Sequence, residues 1–304
     1  MSEGDFASSA MLRLIQLDLQ RQGIAVSALR PPRGAHVPLA VKRALVDQLL
    51  RDHGPQVLLC IGQAVHDARD EPALVALAMA REPLDLIARW QRLERFVHSR
   101  HRVFIEQSGD GSVLLRHGSL DTERPPSAAE DRLVFGVLVA LVERVGTDGL
   151  QARFAGDSRW RWQHGCWIER AVPQDVSRWA LSWNRGVHRP VAPWAADDDW
   201  VGAAHRVLCA DPGRHWTLRT LARDMNTSPR SLQRQLGVGR SSFSALLLET
   251  RLALSAKLLA QSQQSPAEIG YVCGFSDQAH FTRRFKGHSA LTPGTFRAQF
   301  SVLR

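Results

Sequence analysis

Residues 217–236 read T-L-R-T-L-A-R-D-M-N-T-S-P-R-S-L-Q-R-Q-L, and residues 265–286 read S-P-A-E-I-G-Y-V-C-G-F-S-D-Q-A-H-F-T-R-R-F-K. Set about 49 positions apart, the two stretches carry one pattern. Each opens with a short helix that is apolar on one face: Leu218, Leu221, Ala222 and Met225 in the first, Ile269, Val272 and Cys273 in the second. A tight turn follows, and then a second helix opened by an N-capping side chain, Ser228 or Asp277. After each cap the spacing is identical. Leu232 and Leu236 match Phe281 and Phe285 as buried i, i+4 pairs, and Arg234 and Arg283 fall between them on the opposite face. The pattern predicts two helix-turn-helix units, each presenting a polar, basic second helix of a width that suits a DNA major groove. One copy alone would describe two packed helices equally well; the repeat is harder to obtain from packing alone.

Between the copies, residues 242–261 are rich in Leu and Ala and contain neither Gly nor Pro, which predicts one long helix holding two reading heads at fixed separation. With that helix in place the region resembles the DNA-binding domain of the AraC/XylS family of bacterial transcription regulators. The resemblance is carried by A-E-I-G-Y-V-C-G-F-S-D-Q-A-H-F-T-R-R-F-K, by T-P-G-T-F-R, and by S-F…R-L-A-L-S-A-K-L-L in the long helix, and it covers roughly the last 100 residues. Four positions depart from the family pattern: Gly270 for Ala, His288 for an aromatic, Ala290 for Gly, and Gly239 one place before the usual glycine. Helix propensity sets the expected cost of Gly270 at up to about 1 kcal/mol relative to Ala.

Charge divides the chain. From Trp200 onward there are 14 Lys and Arg against 5 Asp and Glu, leaving 25 of each before it, so the whole formal charge of +9 sits in the C-terminal part. A solvated basic face would account for such an excess, but its placement on two groove-sized helices points to a polyanion, double-stranded DNA. At 304 residues the chain is long enough for two domains: a sensing or dimerisation domain over residues 1–189, a linker over 190–199, and the DNA-binding domain over 200–304. Cys60, Cys166, Cys209 and Cys273 show no zinc spacing and read as reduced thiols. The start is acidic, and the longest apolar run, residues 133–142, is short for a membrane span, so a cytoplasmic protein without membrane contact is expected.

The N-terminal part predicts an α+β domain. Helical periodicity marks residues 10–22, 38–52, 73–80 and 83–98, residues 57–64 are ambiguous, and residues up to 9 look frayed. Residues 102–107 and 112–117 alternate across a G-D-G turn as a hairpin; a helix over 127–144 follows, then strand candidates at 150–155 and 166–170. This layout resembles the larger sensing domains of the family branch linked to amino-acid and quorum-type responses rather than the cupin barrel of the arabinose regulator. Seven of nine tryptophans lie between Trp160 and Trp200, either a core or an aromatic ligand cage. The prolines and aspartates of residues 190–199 read as linker, leading into a helix over 200–209.

No nucleophile with a base, metal cluster or phosphate loop has a defensible spacing, so no enzyme activity, cofactor or metal is expected. His98, His101 and His117 read as core or solvated histidines, and Arg92, Arg95, Arg100 and Arg102 as a solvated face with an anion grip as the alternative. Arginine suits the guanine O6/N7 edge, glutamine the adenine N6/N7 edge, and small apolar groups the thymine methyl. On the first reading helix Arg230, Gln233 and Arg234 project away from the core pair, and on the second Gln278, Ala279, His280, Thr282 and Arg283 do so; the resemblance places the family's base-reading positions on these same residues. Ser228, Ser276 and Lys286 are better placed for phosphates. The expected protein is a transcription regulator, paired as a homodimer and working with RNA polymerase, whose N-terminal domain binds a small-molecule effector. In the alternative that domain serves dimerisation or protein interaction with no ligand.

Overall fold

The computed structural model describes residues 4–24, 34–68, 71–169, 173, 175–184, 200–239 and 241–302. The chain divides into two compact units, Met1–Ala68 with Leu77–Val191, and Arg69–Ala76 with Ala192–Arg304. The expected linker lies outside the described residues.

In the first unit β1 (Phe6–Ser8) leads into α1 (Ser9–Arg21), and β2 (His36–Pro38) into α2 (Leu39–His53). Part of the stretch expected to be frayed is ordered into the fold: β1 pairs antiparallel with β2, Ala7 is fully buried, and Phe6 O accepts from Ser99 N at 3.1 Å. The ambiguous stretch is helical, α3 (Pro55–Cys60) running into a 3-10 turn at Ile61–His66; α4 (Pro72–Ala78), most of whose residues belong to the second unit, and α5 (Pro83–Val97) of the first follow. The predicted hairpin is β3 (His101–Gly109) with β4 (Ser112–Ser119). Then come α6 (Ala128–Arg144), β5 (Gln151–Phe154), β6 (Trp162–Gln163), β7 (Cys166–Trp167) and β8 (Arg178–Ser182). β7 is shorter than the strand expected over 166–170, because it closes a tight hairpin with β6 in which His164 and Gly165 both take positive φ, 53° and 75°.

The antiparallel sheet runs β3-β4-β8-β5-β6-β7, so β8, which sequence patterning missed, is an inner strand bonded to β4 and β5. α6 is the core element. Its N-terminus carries a Ser127/Glu130 capping box, which fixes where the helix begins. Along its length Phe135 stacks on Trp179 of β8 at 5.3 Å and tilts against Phe154 of β5 at 5.1 Å. On its helical side the backbones touch: a Cβ at Gly62 would lie 2.1 Å from Gly136 O, and one at Gly136 2.3 Å from Leu59 O. Two glycines are required there because the helix axes approach more closely than any side chain permits.

The second unit is helical: α7 (Trp200–Ala210), α8 (Leu218–Asp224), α9 (Pro229–Val238), α10 (Phe243–Gln261), α11 (Pro266–Val272), α12 (Gln278–Ser289) and α13 (Pro293–Phe300). Nearly every one has the sequence signal that starts it: Thr217, Ser228, Ser242, Ser265, Asp277 and Thr292 each accept a backbone N–H as N-cap. Mid-way along α10, Arg251 donates to Pro212 O and Arg214 O at 3.1 and 3.2 Å, tying that helix to the loop before α8. Of the departures from the family pattern, one acquires a reason and another a cost. A Cβ at Gly270 would press on buried Phe281 at 3.1–3.2 Å, so glycine here makes room for that ring and its propensity cost is offset. Ala290 ends α12 in the left-handed region at φ 69°, where a Cβ is strained. Ala290→Gly is expected to raise the unfolding free energy by about 1 kcal/mol, read as a higher denaturant midpoint with unchanged slope.

Candidate nucleic-acid interface

α9 is held from beneath. Leu232 and Leu236 are buried with Ala204, Leu208, Trp216 and Leu221, so the helix has one rotational setting. That setting leaves Arg230, Gln233 and Arg234 exposed together, and with Ser231 they line one open concavity of about 460 Å3. Ser228 spends its hydroxyl on the cap: Oγ accepts from Ser231 N at 3.1 Å and donates to Ser231 Oγ at 2.9 Å.

α12 repeats the construction with aromatic rings. Phe281 and Phe285 are fully buried in a chain of edge and tilted contacts from Phe275 through Phe281, Phe285 and Phe296 to Phe300, with centroids 5.0–5.5 Å apart. Gln278, Ala279, Arg283 and Lys286 are exposed, and Thr282 and His280 half-buried. Asp277 caps the helix, Oδ1 accepting from His280 N at 2.6 Å. Its carboxyl is held below the usual range first by that bond, then by the bond from Ser276, with Arg283 a smaller influence. Ser276 Oγ and both ring nitrogens of His280 are engaged within the helix, in contacts that also involve Arg284, a residue the sequence reading passed over. Its only sequence signal was position: it corresponds to neutral Gln235 in the first copy, so the repeat does not flag it.

The candidate groups of the first unit take a different place. His98 and His101 stack at 4.4 Å and His101 meets His117 edge-on at 5.6 Å, all inside the unit. His98, His101 and Glu130 offer donor atoms within 4.8 Å of one another. The cationic position among them belongs to Lys42, whose Nζ is 2.9 Å from Glu130 Oε1 and 3.3 Å from His98 Nε2. His98 Nδ1 is itself committed to the backbone N–H groups of Arg100 and His101. Burial pushes His101 down to about 3, against the pull of Glu130. Arg100 pairs with Asp5 and Asp121, and Arg102 donates to the carbonyls of His98 and His101, so these two arginines are structural. Trp162 and Trp179 are fully buried and belong to the core.

Residues 221–299 match the helix-turn-helix domain family. Among curated proteins the chain is 33% identical over 97 residues to the urease operon transcriptional activator of Escherichia coli, covering 32% of this chain and 33% of that one. It is 27% identical over 94 residues to the porin thermoregulatory protein EnvY of Escherichia coli K12, covering 31% and 37%. The chain thus spans about one third of the length of these relatives. Among solved structures, a transcriptional regulator with an AraC-type DNA-binding domain from Chromobacterium violaceum is 28% identical with a TM-score of 0.32, covering 34% of this chain and 95% of that one. The C-terminal region is a helix-turn-helix domain. More narrowly, it is similar to the helix-turn-helix domains of AraC-type regulators. Among the described residues no helix is long and apolar enough to cross a membrane.

Proposed function

We propose that this chain is a sequence-specific DNA-binding transcription regulator with two reading heads, α9 and α12, set on either side of α10. The observation that carries this reading is the matched exposure of two helices in one register. A buried i, i+4 pair fixes each, and each turns a basic, hydrogen-bonding face outward. Arg230, Gln233, Arg234, Gln278, Ala279, Thr282 and Arg283 then address base edges, while Lys286 and the capping ends at Ser228 and Ser276 address phosphates. Residues 200–304 form the DNA-binding domain, and residues 1–189 the controlling domain, which responds to a small molecule or pairs two copies of the chain. Burial of Trp162 and Trp179 in the core speaks against an aromatic ligand cage built from these two rings. A cytoplasmic homodimer recruiting RNA polymerase at a promoter is the working state.

The affinity of the full-length protein for duplex DNA is expected to fall steeply as salt rises, because each phosphate neutralised by Lys or Arg releases condensed counterions. Titration against salt reads this directly, and a flat plot would show that the basic excess does not face phosphate.

A further inference from the structure

At the start of α12 four side chains form a chain whose direction is fixed. Asp277 can only accept, so Ser276 Oγ must donate its single hydroxyl proton to Oδ2, 3.0 Å away. Ser276 Oγ is then left to accept from His280 Nδ1–H at 3.0 Å. That tautomer makes Nε2 an acceptor, and Arg284 Nε donates to it at 3.3 Å. Arg284 is exposed, and with Nε tied to His280 its two Nη groups remain as a donor fork.

Helix geometry gives that fork a target. At 100° per residue, Arg283 lies about 180° from the centre of the Phe281/Phe285 stripe, Lys286 about 120° to one side, and Arg284 about 80° to the other. A helix seated with Arg283 toward the groove floor therefore turns Lys286 and Arg284 to opposite walls, and the walls are phosphate. In the first copy the positions corresponding to His280 and Arg284 are Ser231 and Gln235, so α9 has no such grip on that flank.

Resting on the DNA-binding reading above, we propose that Arg284 contacts a backbone phosphate on the groove wall opposite Lys286, and that His280 is a positioning residue acting on DNA through Arg284 rather than at a base edge. The second head is then clamped on both flanks and sets the register of the complex, while the first reads from a looser seat.

The test uses full-length protein, a duplex carrying its selected site and an unrelated duplex, with affinity measured against salt and a thermal melt confirming folding. Arg284→Gln is expected to lower the salt slope by about one unit on both duplexes and to leave base preference unchanged; Arg284→Lys should recover most of the slope. His280→Ala should reproduce part of the loss, and His280→Gln should restore it, since an amide oxygen can accept from Arg284 while its N–H donates to Ser276. In the Arg284→Gln background His280→Ala should have no further effect. An unchanged slope in Arg284→Gln alongside a lowered one in Lys286→Ala overturns the contact while leaving the DNA-binding reading standing. A changed base preference in Arg284→Gln overturns the phosphate assignment, and additive losses overturn the positioning role. A flat salt plot for the unaltered protein sinks the DNA-binding reading itself.

Discussion

Alanine at Arg234 or at Arg283 is expected to weaken binding to the selected site by about 1 to 3 kcal/mol, roughly fivefold to 150-fold, and to relax preference at one or two base pairs. Non-specific binding should hardly change, because a base-edge contact contributes little where no matching base is present. Both residues stand opposite a buried pair, Leu232/Leu236 or Phe281/Phe285, so neither substitution disturbs the core that orients its helix. The affected base pairs should lie about one duplex turn apart on one face, since α10 is a continuous helix of 19 residues between the two heads. Selection of preferred sites from a random duplex library with each variant measures this. Two substitutions that perturb the same base pair would leave one reading head, not two.

Glu130→Gln should destabilise the first unit by about 3 to 5 kcal/mol at neutral pH, the usual penalty for removing one partner of a buried ion pair. Glu130 is fully buried, its two oxygens lie 2.9 Å from Lys42 Nζ and 2.8 Å from Arg43 Nη2, and it closes the cap of α6 through Ser127 N at 3.0 Å. Glutamine keeps the shape but leaves Lys42 inside without a countercharge. Burial alone would raise this carboxyl from 4.5; attraction from Lys42 and His101, with the bonds from Lys42 and the Ser127 backbone, outweighs it and holds it at about 2. A carboxylate depressed in the folded state stabilises above its unfolded value and loses that contribution as pH falls through its folded one. The gap between the two proteins should therefore be full at pH 7 and narrow from about 4.5 toward about 2. Denaturant titrations followed by the fluorescence of buried Trp162 and Trp179 report on this unit. A gap independent of pH would mean that shape, not charge, is what glutamine disturbs.

Much of the C-terminal unit was legible because its signals are local. An N-cap, a proline at the first helical position and an apolar pair at i, i+4 each act within one or two turns, so Ser228, Pro229, Leu232 and Leu236 announce α9 wherever the rest of the chain lies. The hairpin of β3 and β4 was visible for the same reason, its turn and both strands being neighbours in sequence. β8 was not. Arg178–Ser182 is five residues long, and only its place between β4 and β5, strands that precede it by tens of residues, makes it a strand. β1 likewise exists by pairing with β2 across the whole of α1.

The sequence by itself determined two capped helices in one register, a long helix between them, the location of the positive charge and the residues turned away from each core pair, because periodicity and capping are short-range physics. Only the tertiary structure decided that Lys42, His98, His101 and Glu130 meet in one buried cluster, since they arrive from different elements. It also decided that Gly270 answers to the ring of Phe281, and that His280 turns back along its helix to Arg284. Side-chain direction follows from which neighbours occupy the space and which donors remain, and neither is written in the spacing of residues along a chain.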